Sequence, residues 1–229
     1  MNRLTSLSEF YRSDIGKDIG NRVARVVSRE VHDRAAQTIA VGFCDPIVDL
    51  LYFKNLFLAI PNGYPTTHWP RIRPFKTVVV DERRMPFLPE TWDAVIVMHV
   101  AEFSSKNNNF LQEMHRILKK NGKLIVVCVN KNNINFFSKG MSSIHGIAHG
   151  KSEIIDRLLE ENFSIDTIVG VSEKFKFWPY WLSYRLNKFS ENFGEFSNVF
   201  SDVIVISTTK KELAISGTVE KLNAQYDVT

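Results

Sequence analysis

Thr77-Val78-Val79-Val80-Asp81-Glu82 opens the stretch that decides the fold, and Trp92-Asp93-Ala94-Val95-Ile96-Val97-Met98-His99-Val100 continues it after Met85-Pro86-Phe87-Leu88-Pro89. The first segment is a β-branched run that stops at an acidic pair. The second is an apolar run of strand length. Phe110, Leu111, Met114, Ile117 and Leu118 then recur at helical spacing, and Asn121-Gly122 supplies residues that accept a left-handed conformation. Lys123 to Asn130 follows as a strand apolar on both faces. Strands of that kind belong in a buried, mainly parallel sheet with helices covering it.

The remainder of the chain is consistent with one such domain. Its 229 residues suffice for a full α/β domain with additions but are short for two. A hydrophobic content of 44% and a charged content of 24% are ordinary for a globular protein and argue against a disordered or fibrous class. No apolar run reaches the length of about 18 residues needed to span a bilayer. The first residues lack the apolar core of a signal peptide, so a cytoplasmic location is expected. Cys44 and Cys128 fall at strand positions and read as buried thiols rather than a disulfide or metal site. A net charge of +4 permits weak attraction to nucleic acid or an anionic membrane and requires neither.

Upstream, Leu7, Phe10 and Tyr11 precede a helical stripe of Ile19, Val23, Val26, Val27 and Val31, with Arg22, Arg25 and Arg29 on another face. Thr38 to Val41 reads as a first strand running into the turn Gly42-Phe43-Cys44-Asp45-Pro46. A helix is expected over Ile47 to Phe53 and a second strand over Asn55 to Ile60. Residues 63–74 hold Pro65, Pro70 and Pro74, which exclude a regular helix; Tyr64, His68, Trp69, Arg71 and Arg73 there suit either a ligand-contacting loop or a structural cover.

Downstream, residues 130–151 are polar and carry His145 and His149 among glycines, a loop rather than the helix that a zinc pair at this spacing needs. Ser152 is expected to cap a helix carrying Ile154, Ile155, Leu158 and Leu159, with strands over Phe163 to Val169 and Val203 to Thr209, the latter pairing antiparallel at the sheet edge. Residues 173–189 interleave aromatic and basic side chains and read as a helical cover or a pocket wall, ahead of a nucleic-acid or membrane-surface patch.

Three blocks in the central stretch resemble the class I S-adenosylmethionine-dependent methyltransferases, in the type 11-like branch that reads D-x-x-x-L-P-F-x-x-x-x-F-D-x-V, helix, R-x-L-K-P-G-G. Here the blocks are Asp81, Met85-Pro86-Phe87, Trp92-Asp93-Ala94-Val95 and Arg116-Ile117-Leu118-Lys119-Lys120-Asn121-Gly122, in matching order and spacing. The resemblance implies a Rossmann-like α/β fold: a seven-stranded, mainly parallel sheet with helices on both faces and one antiparallel edge strand. Residues 38–209 would form that domain, 1–37 a helical segment over the cleft, and 210–229 a tail.

The implied activity is methyl transfer from S-adenosyl-L-methionine to an acceptor, a small molecule or a group not identified. The resemblance implies cofactor contacts from Val41, Gly42, Phe43 and Cys44 at the first turn, Asn62 after the second strand, Asp81 and Glu82 after the third, and Met98 at the end of the fourth. His99, Glu102 and His149 are the candidates for proton handling. Against the family pattern, Ala40, Cys44 and Pro46 replace the acidic residue and two glycines of the first turn, and Pro61-Asn62 replaces the ribose-binding carboxylate. A non-catalytic binding or regulatory module with the same fold is the alternative. Exchange of Gly42 for Val is expected to weaken ligand binding more than the fold.

Overall fold

The computed structural model describes residues 3–33, 36–101, 109–130, 150–172 and 201–211. Two helices lead, α1 (Arg3–Arg12) and α2 (Asp14–Glu30). The helical stripe read from the sequence lies on α2, with Val31 at its C-cap, while Leu7, Phe10 and Tyr11 form a separate helix, and Ser13 joins the two. Its hydroxyl donates to Phe10 O at 2.6 Å and accepts from Gly16 N at 3.1 Å, so it closes one helix and caps the next. Ile19, Val23 and Val27 of α2 are wholly buried.

Seven strands follow: β1 (Gln37–Gly42), β2 (Asn55–Pro61), β3 (Thr77–Val80), β4 (Trp92–Met98), β5 (Leu118–Val129), β6 (Phe163–Val171) and β7 (Val203–Lys210). They lie in one sheet in the order β3-β2-β1-β4-β5-β7-β6. The first five are parallel, whereas β7 runs antiparallel to both its neighbours. The reversed strand thus sits one place in, and β6 forms the rim. The side chains explain the choice. Val203 to Ile206 are buried on both faces, whereas Asp166 and Thr167 of β6 are exposed and suit a sheet margin.

Side-chain alternation along the strands builds two cores. Leu58, Ile60, Ile96 and Met98 face α1, α2 and the single turn α3 (Asp45–Val48). Val41, Val95, Val97 and Val126 face α4 (Phe110–Ile117) and α5 (Lys151–Glu160). Three expected features differ. Helix α4 ends at Ile117, so Leu118, read as helical, opens β5, and Asn121-Gly122 lies within that strand instead of ending the helix. The helix after β1 stops at Val48, because Leu51 and Phe53 turn inward while Tyr52 is 78% exposed, an alternation no helix provides. Helix α5 begins after Gly150, without a side-chain cap from Ser152.

The motif blocks that carry the resemblance act as staples at the amino-terminal edge of the sheet. Asp93 accepts from Gln37 N at 2.8 Å and from Lys119 Nζ at 2.8 Å, joining the starts of β1, β4 and β5. Arg116 donates to Glu113 Oε2 at 2.8 Å and Oε1 at 2.6 Å, and to the carbonyls of Met85 (3.2 Å) and Phe87 (2.9 Å). Glu113 accepts from Met85 N at 2.6 Å. The Met85-Pro86-Phe87 block is therefore held by the arginine of the following block, 29 to 31 residues away.

Candidate functional site

In an open α/β sheet, ligands bind beyond the carboxyl ends of the strands where the strand order reverses. Here that point lies at β1, flanked by β2 on one side and β4 on the other. Gly42 ends β1 with φ +102°, a conformation glycine adopts freely. A Cβ there would run into Met98 O and Val100 Cγ2, and Phe43 N donates to Met98 O at 2.9 Å. The glycine is thus required by the close approach of the β1 and β4 ends. The cost of substitution falls first on the fold, which corrects the expectation that Gly42→Val acts mainly on a ligand.

The turn is closed by aromatic packing. Phe43, 7% exposed, lies 6.0 Å from the ring of Tyr11 in α1. The Tyr11 hydroxyl is 2.8 Å from His99 Nε2, and their rings are 5.6 Å apart. His99 is completely buried and adopts φ +54°, while its carbonyl accepts from Tyr64 Oη at 2.7 Å. Two tyrosines, one from the first helix and one from the proline-rich loop, thus clamp the residue after β4. The Cys44 thiol is buried and donates to Val41 O at 3.4 Å; burial pushes its pKa far above the usual thiol value, so it is held as an unreactive thiol.

The residues at the ends of β2 and β3 are more exposed. Asn62, exposed at the end of β2, is tied by its N–H to Val80 O at 3.0 Å. Asp81 and Glu82 are partly exposed at the end of β3. The Arg83 guanidinium grips Asp81 through Nε (2.9 Å) and Nη2 (3.1 Å), and Arg83 N adds a third bond at 3.0 Å. These bonds hold the Asp81 carboxyl below the ordinary aspartate range.

The structure therefore brings Gly42, Phe43, Met98 and His99 together, with Asn62, Asp81 and Glu82 on the neighbouring strand ends. Val41 and Met98 are fully buried core side chains. Glu102 and His149 lie outside the described residues, as do the aromatic-basic segment 173–189 and most of the tail. Sequence reasoning did not identify Tyr11, whose place in the site depends on a contact spanning 88 positions. Nor did it find the Tyr64 clamp. The proline-rich loop serves as a cover as well: Trp69 Nε1 donates to Asp49 Oδ1 at 3.0 Å, and Arg71 lies 3.4 Å from Asp49 Oδ2.

The sheet order and the reversed β7 are those of the class I S-adenosylmethionine-dependent methyltransferase fold. The sequence model described as a methyltransferase domain matches residues 64–126. Solved structures share the fold along most of the chain. The (4+2)-cyclase SpnF aligns at 13% identity over 83% of this chain and 80% of its own, with a TM-score of 0.56. Geranyl diphosphate C-methyltransferase from Streptomyces coelicolor A3(2), crystallised with Mg2+, geranyl diphosphate and S-adenosyl-L-homocysteine, aligns at 14% identity over 82% and 77%, with a TM-score of 0.56. A methyltransferase bound to the Trm112 activator of Haloferax volcanii aligns at 13% identity over 82% and 89%, also at 0.56. No curated protein matches the sequence. Among the described residues no helix is long and apolar enough to cross a membrane.

Proposed function

We propose that this chain transfers a methyl group from S-adenosyl-L-methionine to a small-molecule acceptor at the crevice between the β1 and β4 ends. The observation that carries the reading is Gly42 at φ +102° at the strand-order reversal, where the backbones of β1 and β4 approach closely. The exposed ends of β2 and β3 suit the adenosine end of such a donor. Asn62 offers an amide to a ribose hydroxyl, and Asp81 offers carboxylate oxygens to an exocyclic amine. When bound, the donor supplies a methyl group already activated on a sulfonium. The protein's work is then placement: Gly42 limits bulk at the turn, while α1 and the Tyr64 loop exclude water. Entry to the closed side requires Tyr11 to leave His99. Once released, His99 is the described residue placed to take a proton from an acceptor.

A second reading, a non-catalytic module, is favoured by one observation: Phe43 N, in the turn where a donor would be bound, is spent on Met98 O. Calorimetry and thermal melting with S-adenosylhomocysteine separate the two. The enzyme reading expects heat of binding and a rise in melting temperature by mass action. No heat and no shift at millimolar ligand would establish the module.

A further inference from the structure

We propose that the free edge of β3 docks an extended, acidic segment of a partner protein by strand addition. Among the described residues strand β3 is a margin of the sheet, bonded to β2 alone. Leu58 N donates to Lys76 O at 2.8 Å and Asn62 N to Val80 O at 3.0 Å, so the even-numbered residues of this parallel ladder turn their backbone groups toward β2. Val79, an odd position, therefore directs its N–H and C=O outward.

The margin is short, and the Trp69 backbone holds its start through the Thr77 hydroxyl at 2.8 and 3.0 Å, but among the described residues nothing covers it from Val78 to Val80. Three prolines keep residues 63–74 from forming the helix that would cover β3, and Val78 and Val79 stay 37% and 52% exposed on its two faces. Lys76, the charge placed to guard the edge, is folded back against Lys54 O at 3.3 Å and the Phe57 ring. Ile72 nearby in sequence is 83% exposed. An apolar margin with outward backbone groups is a template for another strand.

Charge selects the occupant. Residues 71–84 carry Arg71, Arg73, Lys76, Arg83 and Arg84 against Asp81 and Glu82; with Arg71 paired to Asp49 and Arg83 to Asp81, Arg73, Lys76 and Arg84 still face Glu82 alone, so a second copy would bring like charges together while an acidic strand would be attracted. Single-stranded nucleic acid is disfavoured because the exposed edge side chains are aliphatic, and Phe75 is already flanked by His68 at 5.0 Å and Arg73 at 5.3 Å.

The test uses the full chain and a dye-labelled peptide of alternating Glu and Val, with an alternating Lys and Val peptide as control, in fluorescence anisotropy at low salt. Val79→Pro removes an outward N–H and the exposed valine side chain but leaves the even-numbered groups that bond β2, a change an edge strand tolerates. Arg73→Glu with Arg84→Glu reverses the local charge. The acidic peptide is expected to bind and the basic one not to, each variant losing about tenfold in affinity with an unchanged melting temperature. The Val79 amide should gain protection from hydrogen exchange only when the acidic peptide is present. The proposal is overturned by absence of binding at millimolar peptide, or by equal affinity in Val79→Pro. It is also overturned by a homodimer that Val79→Pro abolishes, or by cosedimentation with phosphatidylserine vesicles in place of peptide binding.

Discussion

The Tyr11 hydroxyl lies 2.8 Å from Nε2 of His99 and thereby ties the first helix to the carboxyl end of the fourth strand. One hydrogen bond thus links a terminal helix to the place where a methyl donor is proposed to enter. Tyr11→Phe keeps the ring against Phe43 and removes the hydroxyl. It should cost about 1 to 2 kcal/mol in urea denaturation. Because α1 is then held less firmly, S-adenosylhomocysteine should bind more tightly by calorimetry. Weaker binding would mean that the hydroxyl contacts the ligand.

Asp81 and Arg83 form a second pair with a consequence for binding. If the Asp81 carboxylate receives the donor's amine, the Arg83 guanidinium competes for the same oxygens. Asp81→Ala should weaken S-adenosylhomocysteine binding about tenfold, with its melting temperature preserved. Arg83→Ala should strengthen it. An unchanged dissociation constant in both variants would remove Asp81 from the site.

Gly42→Ala tests the closeness of the β1 and β4 ends. The left-handed backbone and the approach of Met98 O both oppose a side chain, so a loss of about 3 kcal/mol or more is expected. Denaturation at constant pH checks it. A variant as stable as the native chain would show that the two strand ends separate readily.

Glu113 makes the fold sensitive to acid. Hydrogen bonds from Arg116 chiefly, opposed by desolvation and assisted by Met85 N–H, hold its carboxyl below the ordinary glutamate range. Its contribution is therefore fully present above about pH 4.3 and is lost as the pH falls through the lowered native value. Glu113→Gln should cost about 1 to 3 kcal/mol near neutrality. Denaturation over a pH series should show the native and variant curves converging in acid. A constant gap would assign the loss to packing.

Much of the sheet was legible because its signals are local. Val78 to Val80, Ala94 to Met98 and Leu124 to Val129 are uninterrupted apolar runs, and the amphipathic spacing of Phe110 to Ile117 is that of a helix. The single turn α3 was less legible, since a short apolar run bounded by turn residues fits a helix or an extended segment equally well. The motif blocks announced the fold while concealing their physical role. Asp93, Arg116 and Lys119 hold the edge of the sheet opposite the candidate crevice, so their presence bears on folding and leaves ligand binding undecided.

By itself the sequence determined the elements, their order and the parallel sheet, because hydrophobic periodicity and turn chemistry act over a few neighbouring residues. Only the tertiary structure decided that β7 slips between β5 and β6, that Tyr11 and Tyr64 converge on His99, and that Val79 turns its backbone outward. Each depends on contacts between distant segments, and the free energy that selects them comes from burying both faces of β7, from satisfying polar groups at the end of β4, and from the register of β3 on β2.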